Sequence, residues 1–235
     1  MTPSKTNGSP RAYRIISCAV VAEELERQGI PDEDISVLEF GLHVEPEKLN
    51  EALREEISRS IKGDILLGYG LCSGALAGLV NPHGKLVVPR ADDCIALFLG
   101  SREEHLRRLA EEPGTYFLTK GWIEAPGRPL EQFAQLVEKY GEVRAARIVK
   151  AALMNYTRLA FIDTGNYRID EYRAIARETA EKLGLRYEEL PGSGRLLDKL
   201  LWGDWDSEFV VVEPGEELTK EMFAISSEGE RAFAG

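Results

Sequence analysis

The sequence predicts an α/β protein with mostly parallel sheets, and three observations carry that expectation. Short β-rich runs alternate with amphipathic helical stretches along most of the chain, the pattern of repeated strand–helix–strand units. One run, 64–70 (Asp-Ile-Leu-Leu-Gly-Tyr-Gly), is almost continuously apolar, as expected of a strand covered on both faces. The chain has 235 residues, 43% of them apolar, enough to bury a large core. Together these describe two Rossmann-like lobes joined by a helical bridge.

In chain order, 13–17 (Tyr-Arg-Ile-Ile-Ser) reads as the first strand, and 20–28 as a helix stopped by Gly29. Residues 35–40 form the second strand. Pro46 opens a helix with Leu49, Leu53, Ile57 and Ile61 on one stripe, at intervals of four. The strands 64–70 and 85–89 follow, then a helix over 93–109. An extended piece, 113–122, and a Pro/Gly-rich turn, 125–129, lead into a long helical region, 130–156, with a break at Gly141. The second lobe takes strand 158–165, helix 172–183 capped by Gly184, strand 186–190, helix 194–201 and strand 208–213. The expected organisation is a loose tail (1–11), an N-terminal lobe (12–112), a bridge (113–157), a C-terminal lobe (158–215) and a second tail (216–235).

Composition excludes several function classes. Forty Asp and Glu against 29 Lys and Arg leave a net charge of −11, a poor match for nucleic acid or an anionic membrane surface. No run reaches the roughly 18 apolar residues of a membrane span. The polar start lacks the apolar run of a secretory signal, and three cysteines make no disulfide framework. A reducing cytoplasm is the expected compartment.

The cysteines carry the functional expectation. Cys18 follows the first strand directly, Cys72 comes two residues after the strand ending at Gly70, and Cys94 follows the strand ending at Pro89 across a short turn. Each thiol sits where a parallel strand hands over to a helix, the edge at which open α/β sheets bind ligands. Were those strands neighbours, three thiols distant in sequence would meet in one crevice. Gly68-Tyr-Gly-Leu-Cys-Ser-Gly74 reads as a turn entering a helix, and Asp92-Asp93-Cys94 opens another. Helix N-termini favour thiolates, so Cys72 and Cys94 are expected to have depressed pKa values. Separations of 54 and 22 residues match no standard metal motif. Three thiolates suit either zinc, with His43 or Asp93 as fourth ligand, or a [4Fe–4S] cluster with one iron open to a small molecule. The alternative for each cysteine is plain core filling.

Other candidates surround this set. His43, at another strand end, and Asp163, in Asp163-Thr-Gly165, are the proton-transfer candidates. Tyr69, Gly70, Gly74, Asp93, Trp122, Asn166 and Tyr167 are expected to line an interlobe cleft, with Arg90 and Lys120 holding an anionic substrate. His105 falls on the polar face of its helix and reads as solvated. There is no G-x-G-x-x-G, P-loop or nucleophile elbow.

The phrases Leu67-Gly-Tyr-Gly-Leu-Cys72, 89–101, 113–122, Ile162-Asp-Thr-Gly165 and Gly203-Asp-Trp-Asp206 together resemble a bacterial and archaeal family, domain of unknown function sixteen thirty-eight, over about residues 13–215. The resemblance implies a setting in anaerobic one-carbon metabolism beside corrinoid methyl transfer. A looser likeness in cysteine count and α/β character points to desulfidase-type proteins that hold a [4Fe–4S] cluster on three cysteines. The expected function is a small-molecule enzyme with a three-cysteine metal site. The alternative is a non-catalytic accessory that binds a metal or corrinoid, or docks a methyltransferase.

Overall fold

A computed structural model describes residues 13–59, 63–125, 129–166 and 168–224. The chain begins with β1 (Tyr13–Cys18), α1 (Ala19–Arg27), β2 (Ile35–Leu38), α2 (Pro46–Ser58), β3 (Asp64–Gly68), β4 (Leu86–Pro89), α3 (Ile95–Leu99) and α4 (Arg102–Glu111). It continues with β5 (Thr115–Leu118), α5 (Lys120–Glu124), α6 (Pro129–Tyr140), α7 (Glu142–Ala152) and β6 (Arg158–Asp163), then α8 (Ile169–Leu183), β7 (Arg186–Pro191), α9 (Arg195–Trp202) and β8 (Phe209–Val212). It is a mixed α/β fold with mostly parallel sheets, and among the described residues no helix is long and apolar enough to cross a membrane.

The larger sheet has the order β2-β1-β3-β4-β8. Its first four strands run parallel, while β8 pairs antiparallel with β4. The smaller sheet, β5-β6-β7, is parallel throughout. Ile65, Leu66 and Leu67 of β3 are fully buried, as a strand covered on both faces requires. The core continues through Leu196, Leu197, Leu200 and Leu201, the apolar stripe of α9, and reaches Ile162 and Leu190 of the smaller sheet.

Four places differ from the sequence reading. Residues 113–122, assigned to the bridge, supply an edge strand to the smaller sheet and then the short helix α5. The last strand, assigned to the C-terminal lobe, returns to the edge of the larger sheet. The single helix expected over 93–109 is two, because Gly100 takes φ +82° and the Ser101 hydroxyl accepts the Glu104 N–H at 3.0 Å to start α4 anew. No α-helix follows Cys72. A 3-10 turn over Cys72–Gly74 leads into further turns instead.

Candidate functional site

Strand order decides whether the thiols meet. The chain runs outward from β1 to β2 on one side and to β3 on the other, so the order reverses between β1 and β3, where doubly wound sheets bind ligands. Three adjacent strands each deliver one cysteine at this edge: Cys18 ends β1, Cys72 follows β3 and Cys94 follows β4. All three line one cavity of about 380 Å³. Val20, Phe40, Tyr69 and Trp122 supply apolar and aromatic wall, and Thr115, Tyr116 and Phe117 of β5 close it from the smaller sheet.

The Cys72 loop is held in an unusual backbone. Cys72 (φ +46°), Ser73 (φ +58°) and Gly74 (φ +88°) are consecutive left-handed residues, and only the last is a glycine. Such strain persists where the surroundings over-determine it, and it clusters at functional sites. Here the Leu71 and Cys72 N–H groups donate to the carbonyls of Ala91 (2.8 Å) and Asp92 (3.0 Å). Gly70 packs so closely that a Cβ there would stand 2.6 Å from the Asp93 carbonyl oxygen. This close approach is backbone against backbone, and it sets the Cys72 loop against the Cys94 turn.

The expectation of depressed thiol pKa values does not hold. Burial pushes the Cys18 thiol up, against the Val20 and Ala19 N–H groups that favour its ionised form. Burial and the neighbouring Cys18 push Cys72 up to about 12, with the Gly70 N–H opposing. Burial, then Cys72 and Asp93, push the Cys94 thiol well above its ordinary value, while the Trp122 indole N–H favours its thiolate. A five-residue α3 and a 3-10 turn offer little dipole, and desolvation with mutual repulsion outweighs it. The Tyr69 hydroxyl, 2% exposed, is likewise held well above its ordinary pKa by burial and then by the three cysteines, so it stays protonated as a donor beside them. No Lys or Arg lines the cavity among the described residues. An incoming cation is therefore what would ionise these thiols. Among the described residues no three His, Cys, Asp or Glu side chains are arranged to hold one metal ion.

Several expected residues lie elsewhere. Lys120 is buried, but its ammonium pairs with Glu23 of α1 and Glu124 (3.3 Å). Arg90 donates to the carbonyls of Ser207 (2.9 Å), Phe209 (3.2 Å) and Met222, strapping the chain beyond α9 to β4. Asp163 accepts from Gly165 N–H (2.8 Å) and Arg173 (2.7 Å) at the end of β6, lining a separate depression. Asn166 donates to Glu24 of α1 at 3.0 Å. Gly74 gives room to the Lys220 side chain. Tyr167 and the side chain of His43 lie outside the described residues, though Phe40, from the same 3-10 turn as His43, lines the cavity.

The sequence reading missed His105, which is 3% exposed rather than solvated. Its ring meets Phe117 edge to face at 5.3 Å, and its Nδ1 stands 3.6 Å from Asp93 Oδ1. The polar face of α4 is covered at this one position by β5, which sequence alone assigns to a bridge. Phe40, Tyr116 and Tyr156 were missed because nothing local in sequence shows that distant aromatics share one wall.

Fold and site define a mixed α/β protein with a three-cysteine cavity at the switch point of its larger sheet. The chain belongs to the family described as "Protein of unknown function (DUF1638)", whose model matches residues 37–201 and so includes Cys72 and Cys94, while Cys18 lies upstream of the matched stretch. No curated protein and no solved structure matches the chain.

Proposed function

We propose that the protein is a small-molecule enzyme in which Cys18, Cys72 and Cys94 hold a [4Fe–4S] cluster with one iron left for substrate. The observation that carries the reading is the convergence of three cysteines, one from each of three adjacent strands, on one cavity whose described lining holds no cation. Zinc draws its ligands to one point at about 2.3 Å per Zn–S bond. A cubane takes each thiolate on a different iron, which suits three cysteines delivered by three separate strands to the wall of one cavity. The open iron would act as a Lewis acid toward a bound small molecule. The chain's own residues would do the rest: the N–H groups of Val20, Gly70 and Trp122 favour the ionised sulfurs, and the protonated Tyr69 hydroxyl is a donor at the cavity wall.

The test is iron and acid-labile sulfide analysis with electron paramagnetic resonance on protein purified without oxygen. Roughly four irons and four sulfides per chain are expected, lost in Cys72→Ser while the circular dichroism of the fold is kept. Protein free of iron and sulfide after reconstitution, or holding one zinc instead, would overturn the cluster.

A further inference from the structure

We infer that the substrate of this cavity is a small organic cation of the alkylammonium type, held between aromatic rings and the Asp93 carboxylate. The inference rests on the reading that this cavity is the substrate site.

Two carboxylates among the described residues line the cavity, and they are not equivalent. Asp92 is engaged by the Arg102 guanidinium at 2.8 and 3.0 Å. Asp93 accepts the Ile95 N–H at 2.9 Å, and its one cationic candidate among the described residues is His105 at 3.6 Å. At that distance the imidazole makes no hydrogen bond to the carboxylate. The Asp93 side chain is 48% exposed, so its uncompensated charge is open to a ligand.

The remaining wall suits the same ligand. Phe40 and Trp122 meet edge to face at 5.0 Å, and Tyr116 and Tyr156 at 5.7 Å. Aromatic rings attract a cation, most strongly one that sheds water cheaply, such as an alkylammonium. An anion would meet Asp93 and three sulfurs without a Lys or Arg to receive it, because Lys120 and Arg90 are committed elsewhere. The volume, about 380 Å³, is at the lower end for small-molecule sites.

Three compounds of one shape and different charge test this: choline, neutral 3,3-dimethylbutan-1-ol and anionic 3,3-dimethylbutanoate, titrated calorimetrically into the protein as purified without oxygen. Choline is expected to bind at least about tenfold more tightly than either the alcohol or the anion, which has only the open iron of the proposed cluster to receive it. Asp93→Asn keeps an oxygen for the Ile95 N–H and should weaken choline about tenfold while sparing the alcohol. Tyr156→Leu, at a half-exposed ring, should weaken choline as well and serves if the Asp93 variant misfolds. Equal binding of choline and the alcohol, binding of the anion as tight as choline, or unchanged choline affinity in both variants would overturn the inference. Iron measured on the same samples separates the two readings. Cation selection without iron removes the cluster and leaves this inference standing, and iron without cation selection does the reverse.

Discussion

Gly70→Ala is the substitution whose effect follows most directly from the geometry. An alanine Cβ would lie 2.6–2.7 Å from the carbonyl oxygen, carbonyl carbon and Cα of Asp93, all backbone atoms that cannot rotate away. Restoring ordinary contact at 3.4 Å requires the Cys72 loop and the Cys94 turn to part by roughly 0.8 Å. The bonds from Leu71 to Ala91 (2.8 Å) and from Cys72 to Asp92 (3.0 Å) span that same gap, so the opening stretches both beyond hydrogen-bonding range. Two lost bonds at about 1 kcal/mol each, with about 1 kcal/mol of overpacking, total about 3 kcal/mol. For a chain of this size that lowers the melting temperature by roughly 6–12 °C. Gly41 is the control, since nothing lies within 4 Å of its Cβ position and its φ is not left-handed. Gly41→Ala should stay within about 1 kcal/mol of the parent. The assay is thermal and urea unfolding of both variants, with iron content alongside. Gly70→Ala melting with the parent and carrying the parent's iron would refute the claim that this glycine sets the spacing of Cys72 and Cys94.

Lys120→Met should cost about 2–3 kcal/mol in urea unfolding, because Glu23 loses a buried partner. It should leave iron content and choline binding unchanged, since the ammonium faces α1 and not the cavity. His105 has a folded pKa below its unfolded value of about 6.5, so the folded state resists protonation and stability is lost as pH falls below that value. His105→Phe should remove this acid sensitivity, read as a smaller drop in unfolding free energy between pH 7.5 and 5.5. Trp122→Phe keeps an aromatic ring but removes the indole N–H that favours the Cys94 thiolate. In the iron-loaded protein the cluster potential should fall, and a redox titration showing no shift would argue against that contact.

Features governed by local pattern could be read from the residues alone. The near-continuous apolar run at 64–70 announces a doubly covered strand, the Gly141 break separates α6 from α7, and Gly184 ends α8 in the left-handed conformation at φ +70°. The position of each cysteine at a strand end was equally legible, because strand ends are marked by neighbours in the chain. Tertiary structure decided everything that depends on neighbours distant in sequence. Only pairing places β1, β3 and β4 side by side and so brings Cys18, Cys72 and Cys94 to one cavity. Only burial decides the thiol pKa values, reversing what helix N-termini led one to expect, because desolvation and repulsion among three thiols are properties of the assembled cavity. The same holds for charge: Lys120 and Arg90 look free in sequence, yet packing commits one to Glu23 and the other to backbone carbonyls. It also buries His105, which a helical wheel leaves in solvent. A cation's partner and a group's exposure are set by surfaces contributed from elsewhere in the chain, and no local period encodes them.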